Sequence, residues 1–382
     1  MEVNSKLDYK IVDTISGLED FAGSLEKEKT IAVDLEADSM FHFQEKVCLI
    51  QIASEKINAI IDPLKINDLS SLKSLFVDRD IKKIFHGADY DVRSLYRDFR
   101  IKINNLFDTQ LASMFLGING TGLDAVVRQR FNIKLDKRFQ KKDWSKRPLP
   151  DEMIQYAAGD AIYLFPLAKI LEKELAEKER LPWVQEECAI LSKVRPPELN
   201  NNPLYLKFKG AGRLTRRCLA VLESLLQFRR KIAKKKDRPL FKIFSNASMM
   251  KIAIKQPANL KQIERMKVLS ARQIDMHGNA LVKTTNRALE IPEKDLPVYL
   301  RGKAPLIKPE VKERAKALKN WRDKRAKILE IDPALLLNKA LMNTIAVQNP
   351  LDTHDLKEIK EMKNWQKNEF GKDITAVLRK VK

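Results

Sequence analysis

Residues 30–36 read TIAVDLE. Strict alternation places Ile31, Val33 and Leu35 on one face of a strand and Ala32, Asp34 and Glu36 on the other. The first set is apolar and suits a core. The second sets two carboxylates side by side, a repulsion that is costly unless a cation sits between them; an exposed polar strand face is the other reading. Residues 47–53, VCLIQIA, are apolar almost throughout, as in a strand covered on both faces. NAIIDPL at 58–64 ends a three-strand meander at Pro63. LSSLKSLF then reads as a helix, IKKIF as a fourth strand, and ADYDVRSLYRDF as a helix following it directly. From there to about residue 190 the pattern is mostly helical, apart from an irregular basic segment at 134–150. A meander followed by strands alternating with helices predicts an α/β layout with a mixed sheet.

The chain of 382 residues is long enough for two or three domains at about 150 residues each. With 44% hydrophobic and 32% charged residues it is neither collagen-like, mucin-like nor wholly disordered. Three widely spaced cysteines exclude a disulfide framework and suit a reducing cytosol, so a cytoplasmic protein is expected. MEVNSKLDYK at the start holds no signal-peptide run, and no stretch approaches the roughly 18–20 apolar residues of a membrane span. The net charge of +21 is unevenly spread. Residues 1–200 carry 30 Lys+Arg against 33 Asp+Glu, and residues 201–382 carry 42 against 18. Such asymmetry points to a nucleic-acid or anionic-surface module joined to something else.

Two Pro-bearing segments, 192–210 and 291–310, read as linkers. They divide the chain into 1–191, 211–290 and 311–382, and a chain ending near Ser192 is expected to fold alone. The two helical stretches are related. At an offset of 93, residues 225–257 align with 318–350 without a gap, and ten of the 33 pairs are identical, among them Arg229/Arg322 and Ile252/Ile345. Chance would supply about two, so a helical module is duplicated. FRRKIAKKKDR (228–238) and LKNWRDKRAK (318–327) concentrate positive charge in both copies.

Two further motifs carry acids. In MIQYAAGDAIYLF, Tyr156 and Asp160 lie one helical turn apart on one face, among small and apolar neighbours. In FHGADYDVRSLYRDF a strand ends, the chain turns at His86-Gly87, and a helix begins with Asp89 and Asp91 both in its first turn. Spacing does not choose between those two.

The ordered set D-x-E, HGADYD and Y-x-x-x-D resembles the DEDD superfamily of 3′→5′ exonucleases, in its tyrosine branch. VDLEADSMFHFQEKVCLIQIA, KIFHGADYDVRSLYRDF, LFDTQLAS, KRFQKKDWSKRPL and QYAAGDAIYL are similar to the ribonuclease D family along residues 10–190, and the duplicated modules resemble HRDC domains. The resemblance implies a ribonuclease H-like (DnaQ-like) exonuclease domain followed by two all-α HRDC bundles. It implies Asp91, the acid immediately before the first apolar residue of its helix, as the acid of the second motif. Asp34, Glu36, Asp91 and Asp160 would then bind two divalent ions, Mg²⁺ or Mn²⁺, with Asp34 touching both, and Tyr156 would orient the attacking water. Asp108 reads as a helix N-cap rather than a ligand. Met40, Phe41 and Phe43 either meet a 3′-terminal base or close the core. The expected activity is removal of nucleoside 5′-monophosphates from RNA 3′ ends, with precursor tRNA as substrate, by a monomer. Arg229, Arg230, Lys231, Lys234, Lys235, Trp321 and Arg322 are the expected RNA contacts. A DNA exonuclease of the same superfamily and a non-catalytic RNA-binding scaffold are the alternatives.

Overall fold

The computed structural model describes residues 8–197, 202–300 and 308–381; the side chain of Asp160 lies outside that description. Among the described residues no helix is long and apolar enough to cross a membrane. The chain divides into two compact units, one formed by 1–37, 47–196 and 305–382, the other by 38–46 and 197–304.

The first unit is built on a six-stranded sheet of β1 (Lys10–Val12), β2 (Thr30–Ala37), β3 (Val47–Ala53), β4 (Asn58–Ile61), β5 (Lys82–Phe85) and β6 (Leu106–Asp108), in the order β1-β4-β3-β2-β5-β6. The expected meander is the antiparallel centre, β2 on β3 and β3 on β4. β5 joins β2, β6 joins β5 and β1 joins β4 in parallel, so the sheet is mixed. β3 is buried at every position. The two edge strands are additions to the reading above; each has three residues, too few to show a period. Leu106–Asp108 falls in a region expected to be helical, and parallel pairing with β5 holds it extended.

Around the sheet lie α1 (Ile15–Leu25), α2 (Ser70–Val77), α3 (Asp89–Phe99), α4 (Thr109–Phe115), α5 (Leu123–Phe131), α6 (Asp151–Glu177) and α7 (Leu181–Leu191). α6 packs across β2, β3, β4 and β5. Its Met153, Ala157 and Ala158 pack with Leu49 and Ile60 of the sheet and with Trp144. Leu49 stands opposite Glu36 in the register, and Gln51, two residues on, stands opposite Asp34. α6 therefore covers the face that carries both acids.

The first duplicated module consists of α8 (Arg216–Lys236), α9 (Leu240–Ile243), α10 (Asn246–Lys255), α11 (Leu260–Met266) and α12 (Ala271–Leu289), and belongs to the second unit. The second consists of α13 (Pro309–Leu329), α14 (Pro333–Leu336), α15 (Lys339–Gln348) and α16 (Asn364–Arg379), and belongs to the first unit. The offset of 93 carries α8, α9 and α10 onto α13, α14 and α15 residue for residue. It also carries the start of α12 onto the start of α16. Hydrogen bonds repeat with it: Gln273 donates to the Ile243 carbonyl at 2.7 Å and Gln366 to the Leu336 carbonyl at 2.7 Å.

The second module packs on α7. Trp365 stacks on Trp183 with centroids 4.9 Å apart, both indoles being buried, and Phe115 meets Trp365 edge-on. Glu186 accepts the Asn364 and Trp365 backbone N–H groups, and Lys363 pairs with Glu187. Arg180 ties the Phe115 and Leu329 carbonyls together. Gly117, at φ +76°, lies so close to the Glu330 carbonyl that a Cβ would come within 2.0 Å of its oxygen. This packing runs against the expectation that a chain ending near Ser192 folds alone, because Phe115 and Trp183 would lose their cover. The expected linkers are partly structured as well, with short 3-10 turns at Leu204–Lys207 and Glu293–Asp295 and a buried Tyr205.

Candidate active site

Four sequence-selected side chains converge where β2 meets α3 and α6. Asp34 and Glu36 leave the same face of β2. A register shift between Glu36 and Ala37 bends the strand immediately after them, as bulges beside functional sites do. Asp34, Glu36 and Tyr156 line one cleft of about 500 Å³, together with His86, Gln110, Asp124, Asp136, Lys137 and Gln140. Asp91 is buried behind this lining, at the third position of α3. Asp160 lies on α6 one turn beyond Tyr156, and its side chain is outside the described ones.

Geometry separates the two acids that spacing could not. Asp89 is exposed and makes a two-pronged ion pair with Arg93, at 2.8 and 2.9 Å. Asp91 is 8% exposed. Burial raises its pKa well above the carboxylate range, and the neighbouring charges of Asp34 and Asp108 push in the same direction. Burial likewise raises Asp34 to about 6, although one side of it reaches the cleft. Two buried acids that repel each other are poorly accommodated as a bare pair. Their all-oxygen donor set is the chemistry that a hard divalent ion takes, so the residues present fit such an ion.

Asp108 explains how Asp91 is placed. Its carboxylate accepts the backbone N–H groups of Gly87 (3.0 Å), Ala88 (2.8 Å), Gln110 (2.7 Å) and Leu111 (3.2 Å). It caps α4, as expected, and it also fixes the turn that launches α3. Gly87 in that turn has φ +74°, and its Cβ position lies 3.0 Å from the Gln110 side chain. His86 donates to or accepts from Thr109 at 2.9 Å, and burial lowers its pKa.

The segment 134–150, irregular as expected, forms one wall. Phe139 meets the Tyr156 ring edge-on at 5.8 Å, and Trp144 lies against it at 6.0 Å. Arg147 pins the segment to the sheet through Asp62 (2.6 and 2.7 Å) and the Cys48 carbonyl (2.9 Å). Lys137 is paired with Asp124 at 2.7 Å. None of these wall residues is among the site residues expected from sequence; their stretch, KRFQKKDWSKRPL, carries its basic run and the family resemblance.

The expected RNA contacts need correction. Arg229 is 6% exposed and donates to the Phe244 carbonyl (3.0 Å) and to Asn246 (2.8 Å), so its guanidinium is used inside the module. Arg322 repeats the bond one offset later, to the Leu337 carbonyl at 3.0 Å, with Asp323 as a second partner. Trp321 is partly buried and packs edge-on against Phe370, at the margin of the core. Arg230, Lys231, Lys234 and Lys235 are exposed on α8. Met40 is exposed, Phe41 lies under the Lys242 ammonium at 4.2 Å, and Phe43 packs on the core of the second unit. His42 pairs with Asp237 at 2.7 Å within the same unit.

Comparison with known proteins agrees with this layout. The family model described as 3′-5′ exonuclease matches residues 9–176, and that described as HRDC domain matches 219–285 and 311–378. Ribonuclease D of Haemophilus influenzae is 30% identical over 295 residues, covering 76% of this chain and 73% of the relative. Ribonuclease D of Desulfotalea psychrophila is 29% identical over 374 residues, 97% of this chain and 98% of the relative. The crystal structure of Escherichia coli RNase D shares the fold, with a TM-score of 0.73 at 24% identity over 97% of this chain and 99% of that one. With exonuclease-type carboxylates on a mixed sheet, followed along the chain by two HRDC modules, this chain belongs to the ribonuclease D family of 3′→5′ exoribonucleases.

Proposed function

We propose that the protein trims unpaired 3′ ends of structured RNA, precursor tRNA trailers among them, releasing nucleoside 5′-monophosphates one at a time. The observation that carries this reading is the convergence of Asp34, Glu36 and Tyr156 on one cleft with Asp91 buried behind them. Asp34, Glu36, Asp91 and Asp160 would hold two divalent ions, Mg²⁺ or Mn²⁺. When bound, such ions supply activation of water and charge neutralisation at the scissile phosphate. Tyr156 orients the attacking water through its phenol hydroxyl. Phe139 and Trp144 hold its ring for that task.

RNA is gripped by the exposed Arg230, Lys231, Lys234 and Lys235 of the first module. Residues 211–290 carry 19 Lys+Arg against 5 Asp+Glu, compared with 17 against 10 in 311–382. Phosphate contacts of this kind position a strand without reading its sequence, which suits a trimming enzyme. The second module spends its own face on α7. The protein acts as a monomer in the cytoplasm, where its three free cysteines stay reduced. The test is digestion of 5′-labelled RNA and DNA oligomers, and of a precursor tRNA, with Mg²⁺ or Mn²⁺. Stepwise shortening of the RNA that halts near the acceptor stem is expected. Cleavage of a circular RNA, or faster digestion of DNA, would overturn the proposal.

A further inference from the structure

Gln51 lies in the middle of β3 and is fully buried, and neither its Oε1 nor its Nε2 has a hydrogen-bond partner among the described residues. An uncharged amide left in this state is costly, and native interiors seldom keep one without a use. Its neighbours indicate the use. The register sets Asp34 directly across from it on β2 and Ile60 directly across on β4. Residues so paired face the same side of a sheet, with Cβ atoms about 4.5–5.5 Å apart. Ile60 offers only hydrocarbon. On the other side stands an acid of the cleft.

We propose that Gln51 is a positioning residue for the metal-binding acids, donating its N–H to the Asp34 carboxylate when that carboxylate is drawn onto a divalent ion. The inference rests on the two-ion reading above. Metal-ligating carboxylates are held in orientation by such outer hydrogen bonds, and loss of one typically weakens metal binding by about 10–100-fold. A rigid central strand carries Gln51, so the donor is held ready whether or not the ion is bound. Two other orphaned groups share this layer. Asn58 stands across from Ala53 on the same face, and the Trp144 indole N–H belongs to the layer between sheet and α6. They define the rival role, a purely structural polar network, and the two roles differ in what a mutation does to the metal-free protein.

Gln51→Met keeps the length of the side chain and removes the amide. Mn²⁺ titration calorimetry on the RNA-free protein should show affinity about 10–100-fold weaker than wild type. The melting temperature in EDTA should hold or rise, because an unpaired polar group has been removed. KM for a short RNA should be unchanged, with kcat falling at subsaturating Mn²⁺. A lower melting temperature in EDTA with wild-type Mn²⁺ affinity would assign the amide to the structural network and overturn the proposal. Failure of both Gln51→Met and Gln51→Leu to fold would overturn it equally. If wild-type protein binds no Mn²⁺, or binds it undiminished after Asp34→Asn, the two-ion reading fails instead, which is a separate result.

Discussion

Asp34→Asn should abolish hydrolysis and, without metal, make the protein more stable. In the metal-free fold burial lifts the Asp34 carboxyl from an ordinary 3.8 to about 6. A rise of that size is roughly 3 kcal/mol of preference for the neutral form. The sign follows from linkage: a folded-state pKa above the unfolded one gives a contribution fully present below about pH 4 and lost as pH rises through about 6. At pH 7.5 the ionised group therefore works against folding, and removing its charge should return on the order of 2–3 kcal/mol. Relief of the repulsion on Asp91 adds in the same direction. At about 2.1 cal/mol/K of unfolding entropy per residue, a protein this large shifts by roughly 1–2 °C per kcal/mol, so the melting temperature in EDTA should rise by roughly 2–6 °C at pH 7.5. The gain should shrink as pH falls from about 6 towards 4 and vanish only below about pH 4, where the acid is protonated in the unfolded chain as well. Mn²⁺ should then stabilise wild type and leave the variant unmoved. Differential scanning fluorimetry across pH, with and without Mn²⁺, reads all three effects. A variant that melts lower than wild type at pH 7.5 in EDTA, or a gain that does not depend on pH, would refute the buried-charge argument.

Tyr156→Phe should lower the single-turnover rate by about 10²–10³-fold with an unchanged melting temperature, since only a hydroxyl leaves a preorganised site; wild-type rates would make the phenol structural. Asp108→Ala strips the acceptor from four backbone N–H groups, so a loss of about 2–4 kcal/mol in denaturant melts is expected, with slower hydrolysis as the Asp91 turn loosens. Replacing Arg230, Lys231, Lys234 and Lys235 with Ala should weaken tRNA binding and flatten the log–log salt slope by roughly 3. Arg229→Ala should instead destabilise the module; equal effects on the slope from both changes would contradict the burial of Arg229. A chain cut after Ser192 should aggregate or melt well below the full protein, as judged by light scattering, because Trp183 loses its stacking partner.

The central strands were legible because alternation along TIAVDLE and the apolar run VCLIQIA are signals long enough to have a period. Leu106–Asp108 was not, since three residues held by a parallel neighbour carry no pattern of their own. Asp89 and Asp91 share a helical turn, so only the packing around them distinguishes an exposed partner of Arg93 from a buried neighbour of Asp34. Arg229 was misread because a basic run looks like surface. Its retention in both copies did not set it apart, since the exposed Lys231/Lys324 and Lys234/Lys327 are kept as well; only the packing shows its guanidinium on the Phe244 carbonyl.

The docking of the second module on α7 also sets an order of events during synthesis. Residues 305–382 complete the unit begun by residues 1–37, with 197–304 interposed. On a ribosome, the nuclease sheet would wait with Phe115 and Trp183 uncovered until α16 has been made. At roughly 5–20 residues per second, the stretch from Ser192 to the end of α16 takes on the order of 10–40 s. A chain that stops short leaves those aromatic rings exposed, so the nuclease unit reaches its full core only at the end of synthesis.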